Sequence, residues 1–126
     1  MGEMLNVALD AMGGDNAPDE IIKGAMQAME KKTNIKVFLV GPEKLLREKC
    51  AGYTYDASRL EFVNATEVIT NDEAPVSAIR HKKDSSIAVA LGLVRDKKAD
   101  AFVSAGSTGA VLVGAQMIVG RIRGVR

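Results

Sequence analysis

Short, continuously apolar runs alternate with helix-spaced segments along this chain, and that alternation restricts its fold more than any other feature. The first run, 5–9, is interrupted only by Asn6 and breaks at Met12-Gly13-Gly14-Asp15-Asn16-Ala17-Pro18, a cluster of turn formers. Beyond Pro18, which suits a first helical turn, Ile21, Ile22, Ala25, Met26 and Met29 recur at helical spacing opposite Lys23, Gln27 and Glu30. The cycle repeats with a β-rich run over 35–40, a turn at Gly41-Pro42 and a helix over 43–50 that places Leu45, Leu46 and Cys50 on one side. A third strand is expected over 60–63. After a polar stretch, Pro75 opens a short helix carrying Val76 and Ile79. Asp84-Ser85-Ser86 then offers caps for a longer helix whose apolar face is Ile87, Ala90, Leu91 and Val94. A last strand over 100–103 runs into Ser104-Ala-Gly-Ser-Thr-Gly109, which opens another helix. Strands that are apolar throughout belong in a parallel sheet covered on both faces, joined by right-handed crossovers. The expected fold class is therefore α/β, a three-layer α/β/α arrangement with a mainly parallel, Rossmann-like sheet.

The whole-chain properties mostly exclude. A length of 126 residues suits one domain with its own core. The 17 basic residues nearly cancel the 16 acidic ones, so no net field recommends nucleic acid or adsorption to a membrane by charge alone. The single cysteine, Cys50, cannot form an intramolecular disulfide, and Met1 runs into Glu3 without a signal-peptide apolar region. A reducing cytoplasm fits these features. The uncharged stretch 101–120 is long enough to raise a membrane span, but Ser104, Ser107, Thr108, Gln116 and its glycines favour a buried strand followed by a buried helix. The segment 118–126 is partly apolar and has no helix stop, so the chain reads as an unfinished domain.

In an open parallel sheet, ligands sit beyond the carboxyl ends of the strands, where both glycine-rich loops fall. Unpaired N–H groups at a helix start attract an anion, and glycine lets backbone approach it closely. The hydroxyls of Ser104, Ser107 and Thr108 would add donors to such a nest, with Gly106 giving access. Equally, Ser107 or Thr108 would serve as a plain cap and Gly106 and Gly109 as close-packing positions. In the first loop, Gly13 and Gly14 are candidates for backbone contact and Asn16 for a contact or a cap. Asp10 and Asp15 would repel a bare phosphate, so they are cast as loop organisers, partners of a lysine, or metal ligands. In Arg80-His81-Lys82-Lys83-Asp84-Ser85-Ser86, Lys83 and Ser86 lie nearest the helix start and are the preferred anion ligands. His81 reads as an exposed structural residue before it reads as a general base, and Cys50 as a small buried hydrophobe. No G-x-G-x-x-G, no P-loop and no metal-spaced cysteines or histidines occur.

The motifs Asp10-Ala-Met-Gly-Gly-Asp-Asn-Ala-Pro18, Lys83-Asp-Ser-Ser86, Ala99-Asp-Ala-Phe-Val-Ser-Ala-Gly-Ser-Thr-Gly-Ala110 and Val119-Gly-Arg-Ile-Arg-Gly124 run in order along the chain. Together they resemble the PlsX family, phosphate acyltransferases of fatty acid and phospholipid synthesis. Ser107 departs from the family pattern, where asparagine is common, and proteins of the family are commonly more than twice as long. The resemblance implies that the chain is the N-terminal part of an α/β domain similar to the phosphotransacetylase and isopropylmalate dehydrogenase-like folds. It implies attack of inorganic phosphate on a long-chain acyl thioester of acyl carrier protein, giving acyl phosphate, with no organic cofactor and no metal. It further implies catalytic roles for Lys83 and Ser104, a homodimer, and a cytoplasmic enzyme that associates peripherally with the membrane. The isolated 126-residue piece is expected to be inactive. Two other readings stay open, a phosphate acetyl- or butyryltransferase using acyl-coenzyme A and a non-catalytic α/β binding module.

Overall fold

A computed structural model describes residues 4–13, 17–68 and 74–104. Its elements are β1 (Leu5–Asp10), α1 (Asp19–Lys31), β2 (Ile35–Gly41), α2 (Glu43–Cys50), β3 (Leu60–Asn64), α3 (Pro75–His81), α4 (Ser86–Arg95) and β4 (Ala101–Val103). The strands form one parallel sheet in the order β3-β2-β1-β4. The α/β class expected from the alternation is the one observed.

Strand register explains why the runs are apolar on both faces. Side chains alternate across a strand, so the paired residues Val7, Val37 and Leu60 share one face while Ala8, Phe38 and Phe102 share the other. On the first face Val37, Leu39 and Leu60 bury against Ile22, Met26 and Met29 of α1 and Leu46 and Cys50 of α2. On the second, Ala8, Phe38 and Val40 bury against Ala90, Val89 and Leu93 of α4. Two cores separated by a sheet make three layers. The crossovers from β1 to β2 and from β2 to β3 put α1 and α2 on one face. The return from β3 to β4 runs the opposite way, so the same handedness puts α4 on the other.

The boundaries differ from the periodicity where side chains bond across the fold. Helix α1 begins at Asp19, with Pro18 outside it as the capping residue. A single 3-10 turn, Ala57–Arg59, precedes β3, because Asp56 Oδ1 accepts from the Ser58 N–H at 3.0 Å and from the Ser58 hydroxyl at 2.6 Å. Strand β4 starts after Asp100, whose carboxylate accepts the Asn6 N–H at 2.9 Å while its own N–H donates to the Asn6 carbonyl at 2.7 Å. Val76, expected on an apolar helix face, is 48% exposed. The helix expected after Ser104 lies outside the described residues.

Arg59 closes the end of α1. Its guanidinium donates to the carbonyls of Met29 in the last helical turn at 3.0 Å, of Lys32 just after it at 2.9 Å and of Ile35 at the start of β2 at 3.1 Å. Arg59→Ala is expected to lower unfolding free energy by about 1.5–3 kcal/mol, read from urea denaturation midpoints, and lysine is expected to restore little because it lacks the fork. After α4 the chain turns through Lys97 at φ 63°, a left-handed conformation that a Cβ disfavours. Lys97→Gly is therefore expected to raise stability by roughly 0.5–1 kcal/mol in the same assay.

Candidate functional site

Strand β1 is paired on both edges, and the chain leaves it toward β2 on one side and returns to it with β4 on the other. The carboxyl ends of β1 and β4 are the edge at which open α/β sheets bind ligands. The last paired residues of this seam are Leu9 and Val103, and one step beyond them stand Asp10 and Ser104. The Ser104 hydroxyl donates to Asp10 Oδ2 at 2.8 Å, across 94 positions of sequence. Asp10 is 1% exposed. Its other oxygen, Oδ1, accepts the Met12 N–H at 3.0 Å, and its carbonyl accepts the Gly13 N–H at 3.4 Å. Both carboxylate oxygens are therefore acceptors, one of the loop backbone and one of the hydroxyl from the neighbouring strand. Asp10 is thus bonded to the backbone of the loop that follows β1, and Gly13 is buried.

This geometry sharpens the expectation for Ser104. Sequence reasoning made its hydroxyl a donor to an oxyanion, but a hydroxyl carries one proton and this one is directed at Asp10. A glycine that sequence reasoning treated only as a turn also matters. A Cβ on Gly41 would lie 3.1 Å from Met12 Cγ and 3.2 Å from Leu46 Cδ1, so the missing side chain lets the β1 loop settle on the end of β2. The Gly-Pro pair was the available signal, but it did not reveal which loop comes close.

Lys83 and Ser86 sit at the start of α4, at the same edge of the sheet and on the face toward which Asp10 is registered. Lys83 is exposed, whereas Ser86 is 1% exposed. Ser85 caps the helix by accepting the Ala88 N–H at 3.1 Å, and the Ser86 N–H donates to the Glu67 carbonyl at 3.0 Å. These N–H groups are engaged within the fold, which reduces what the helix start offers an anion. Asp84 anchors the turn before it, accepting the Thr66 hydroxyl at 2.6 Å and the Thr66 N–H at 2.9 Å. Those two bonds, the hydroxyl's first, hold the Asp84 carboxyl below the usual carboxylate range against a smaller opposing effect of desolvation. The remaining candidates Gly14, Asp15, Asn16, Gly106, Ser107 and Thr108 lie outside the described residues.

His81 is exposed, with Nδ1 2.9 Å from the Ser77 carbonyl oxygen of its own helix, as its structural reading requires. Cys50 is fully buried in the core under α2, and burial pushes its thiol pKa up, so the thiolate is disfavoured. Among the described residues no group of three or more His, Cys, Asp or Glu side chains gathers as a metal site. Among them, too, no helix is long and apolar enough to cross a membrane. A groove of about 340 Å³ runs between α1 and the face of β1 and β4, lined by Val7, Leu9, Ile21, Ala25 and Val103 among others. It lies on the opposite face of the sheet from Asp10 and Ser104, and its lining lacks the polar groups an anion needs.

The fatty acid synthesis protein family matches residues 5–126. The chain belongs to this family, the PlsX family. It is 51% identical over 121 residues to a phosphate acyltransferase of Syntrophomonas wolfei, covering 96% of this chain and 38% of that protein. It is 50% identical over 121 residues to a phosphate acyltransferase of Thermoanaerobacter pseudethanolicus, covering 96% of this chain and 35% of that one. A putative phosphate acyltransferase of Clostridium perfringens is 47% identical over 121 residues, again 96% of this chain and 36% of that protein. The chain thus spans little more than a third of the length of these curated relatives.

The Asp84 anchor has a measurable pH signature. A carboxyl held below its ordinary value stabilises the fold above that value, about pH 4, and the contribution disappears as pH falls through the lowered one. Thr66→Val removes the larger of the two causes. Its acid-side stability curve, followed by circular dichroism between about pH 2 and pH 5, is expected to fall less steeply than the wild type's.

Proposed function

We propose that this chain is the N-terminal wall of a phosphate acyltransferase that transfers a long-chain acyl group from acyl carrier protein to inorganic phosphate. The observation that carries the reading is the contact of Ser104 with buried Asp10 at the carboxyl ends of β1 and β4, the edge where open α/β sheets bind ligands. Family membership and the phosphate acyltransferase names of the relatives support the chemistry. On this reading the remainder of the active site comes from the rest of a longer protein, since the match covers 38% of the Syntrophomonas wolfei relative.

Phosphate near neutrality is largely dianionic and needs no strong base to become a nucleophile. One of its oxygens adds to the thioester carbon, the carbonyl electrons move onto oxygen, and collapse of that tetrahedral species expels the carrier thiolate. The protein's work is to hold phosphate in line and stabilise the developing charge. Gly13 and Gly14 give backbone access on the first loop, with Asn16 beside them. Gly106, Ser107 and Thr108 supply the second loop, next to Ser104. Asp10 and Asp15 organise the first loop, while Lys83 and Ser86 bring charge and a hydroxyl from the start of α4. No organic cofactor enters the reaction. The working enzyme is a cytoplasmic homodimer that meets the membrane peripherally.

A full-length protein that contains this chain is expected to convert a long-chain acyl-acyl carrier protein and inorganic phosphate to acyl phosphate, trapped with hydroxylamine. Ser104→Ala and Lys83→Ala are each expected to slow the reaction by about tenfold or more. Wild-type rates and phosphate affinity in either variant remove that residue from the mechanism. Turnover of short acyl-coenzyme A with no use of acyl carrier protein overturns the donor assignment.

A further inference from the structure

The turn that follows β1 rests on the end of β2. We propose that Gly41 is a positioning residue for the anion site, because the room it leaves lets Met12 seat and so fixes where the turn over 10–13 lies. The inference rests on the phosphate reading given above and adds to it the contact that sets the place of the first loop.

A Cβ on Gly41 would meet Met12 Cγ at 3.1 Å, Leu46 Cδ1 at 3.2 Å and Ala11 Cβ at 3.6 Å. The third distance is ordinary contact, but the first two require a neighbour to give by a few tenths of an ångström. Which neighbour gives decides the effect. Gly41 is held where it is, since it pairs in register with Asn64 and its carbonyl accepts the Ala65 N–H at 2.9 Å. Leu46 is fully buried in the close-packed core with Ile22 and Cys50, where a shift would displace other side chains. Met12 is only half-buried and belongs to the turn. The displacement therefore goes into Met12.

Met12 does not move alone. Its N–H donates to Asp10 Oδ1 at 3.0 Å, and the N–H of the next residue, Gly13, donates to the Asp10 carbonyl at 3.4 Å. The Ala11 N–H is fixed to the Val40 carbonyl at 2.9 Å, so the turn hinges there and shifts beyond it. Asp10 in turn accepts the Ser104 hydroxyl at 2.8 Å, which links the first loop to the strand that feeds the second. Crowding at Gly41 thus reaches the backbone assigned to phosphate, a nucleophile whose alignment governs the rate. Gly41 is an ordinary strand residue of β2, a conformation open to any side chain, so alanine there alters the contact and not the backbone.

Steady-state kinetics of a full-length protein that contains this chain, with phosphate and a long-chain acyl-acyl carrier protein varied in turn, test the inference. Misplacement by 1 Å costs about a hundredfold, so a few tenths of an ångström in Gly41→Ala is expected to raise the phosphate KM about three- to tenfold. The KM for the acyl substrate is expected to stay within about twofold of wild type. Met12→Ala removes the Cγ that a new Cβ would meet, and in that background Gly41→Ala is expected to add less than about twofold to the phosphate KM. Equal effects in the two backgrounds overturn the proposal. A merely structural glycine would lower the melting temperature and the fraction of active enzyme with both KM values at wild type, or raise both together, and either outcome also overturns it. If the wild-type protein makes no acyl phosphate, the phosphate reading fails and the inference with it. If Gly41→Ala does not fold, Met12→Leu decides, because it conserves volume while branching at the carbon nearest Gly41. A raised phosphate KM with the acyl KM unchanged then supports the positioning role, and a wild-type phosphate KM refutes it.

Discussion

Pairing of β1 on both edges is the constraint on which the other features depend. A strand flanked by β2 and β4 must be apolar on both faces, which requires a helical layer above and below it. Flanking also means that the chain departs to one side and returns from the other, and so brings the ends of β1 and β4 together at one edge of the sheet. The core and the site are two results of one arrangement. Ala8 and Leu9 face opposite layers, and the next residue, Asp10, is where burial passes into chemistry.

Much of this arrangement can be read from the sequence because it depends on local periodicity. The apolar runs at 5–9 and 35–40, the helical spacing of Ile22, Ala25, Met26 and Met29, and the cap at Ser85 each state their role within a few residues. The parts that escape such reading are bonds between distant segments. Asp100 reaches Asn6 across 94 positions, Asn64 accepts the Glu43 N–H across 21, and Asp84 holds Thr66 across 18. Each is an acidic or amide side chain that looks like a surface residue until the sheet order brings its partner alongside. Arg59 is a further case, since no spacing in the sequence announces that its guanidinium will close a helix ending some 30 residues earlier.

At the candidate site the meeting of two loops is easier to read from sequence than the polarity of the bond between them. Glycines and hydroxyls after two strands point to an anion at the carboxyl edge, and Asp10 and Ser104 do meet there. Which partner donates is not a property of residue types. It depends on a carboxylate pinned by Met12 on one oxygen, which leaves the other to take the serine proton. At the start of α4, similarly, Lys83 and Ser86 have the right chemistry in sequence, yet one is exposed and the other buried, with the Ser86 N–H committed to Glu67.

Strand β4 is three residues long, and a carboxylate fastens it to β1 at each end, Asp100 to the Asn6 backbone and Asp10 to the Ser104 side chain. Slippage by one residue would break both fastenings and turn Phe102 to the wrong layer. Both join segments 94 residues apart, so each closes a long loop and must offset the entropy of doing so. The two clasps therefore tie the register of the strand to the pairing of Asp10 with Ser104. A chain whose last strand has docked out of step has no aspartate–serine pair, and only a correctly registered molecule acquires its site.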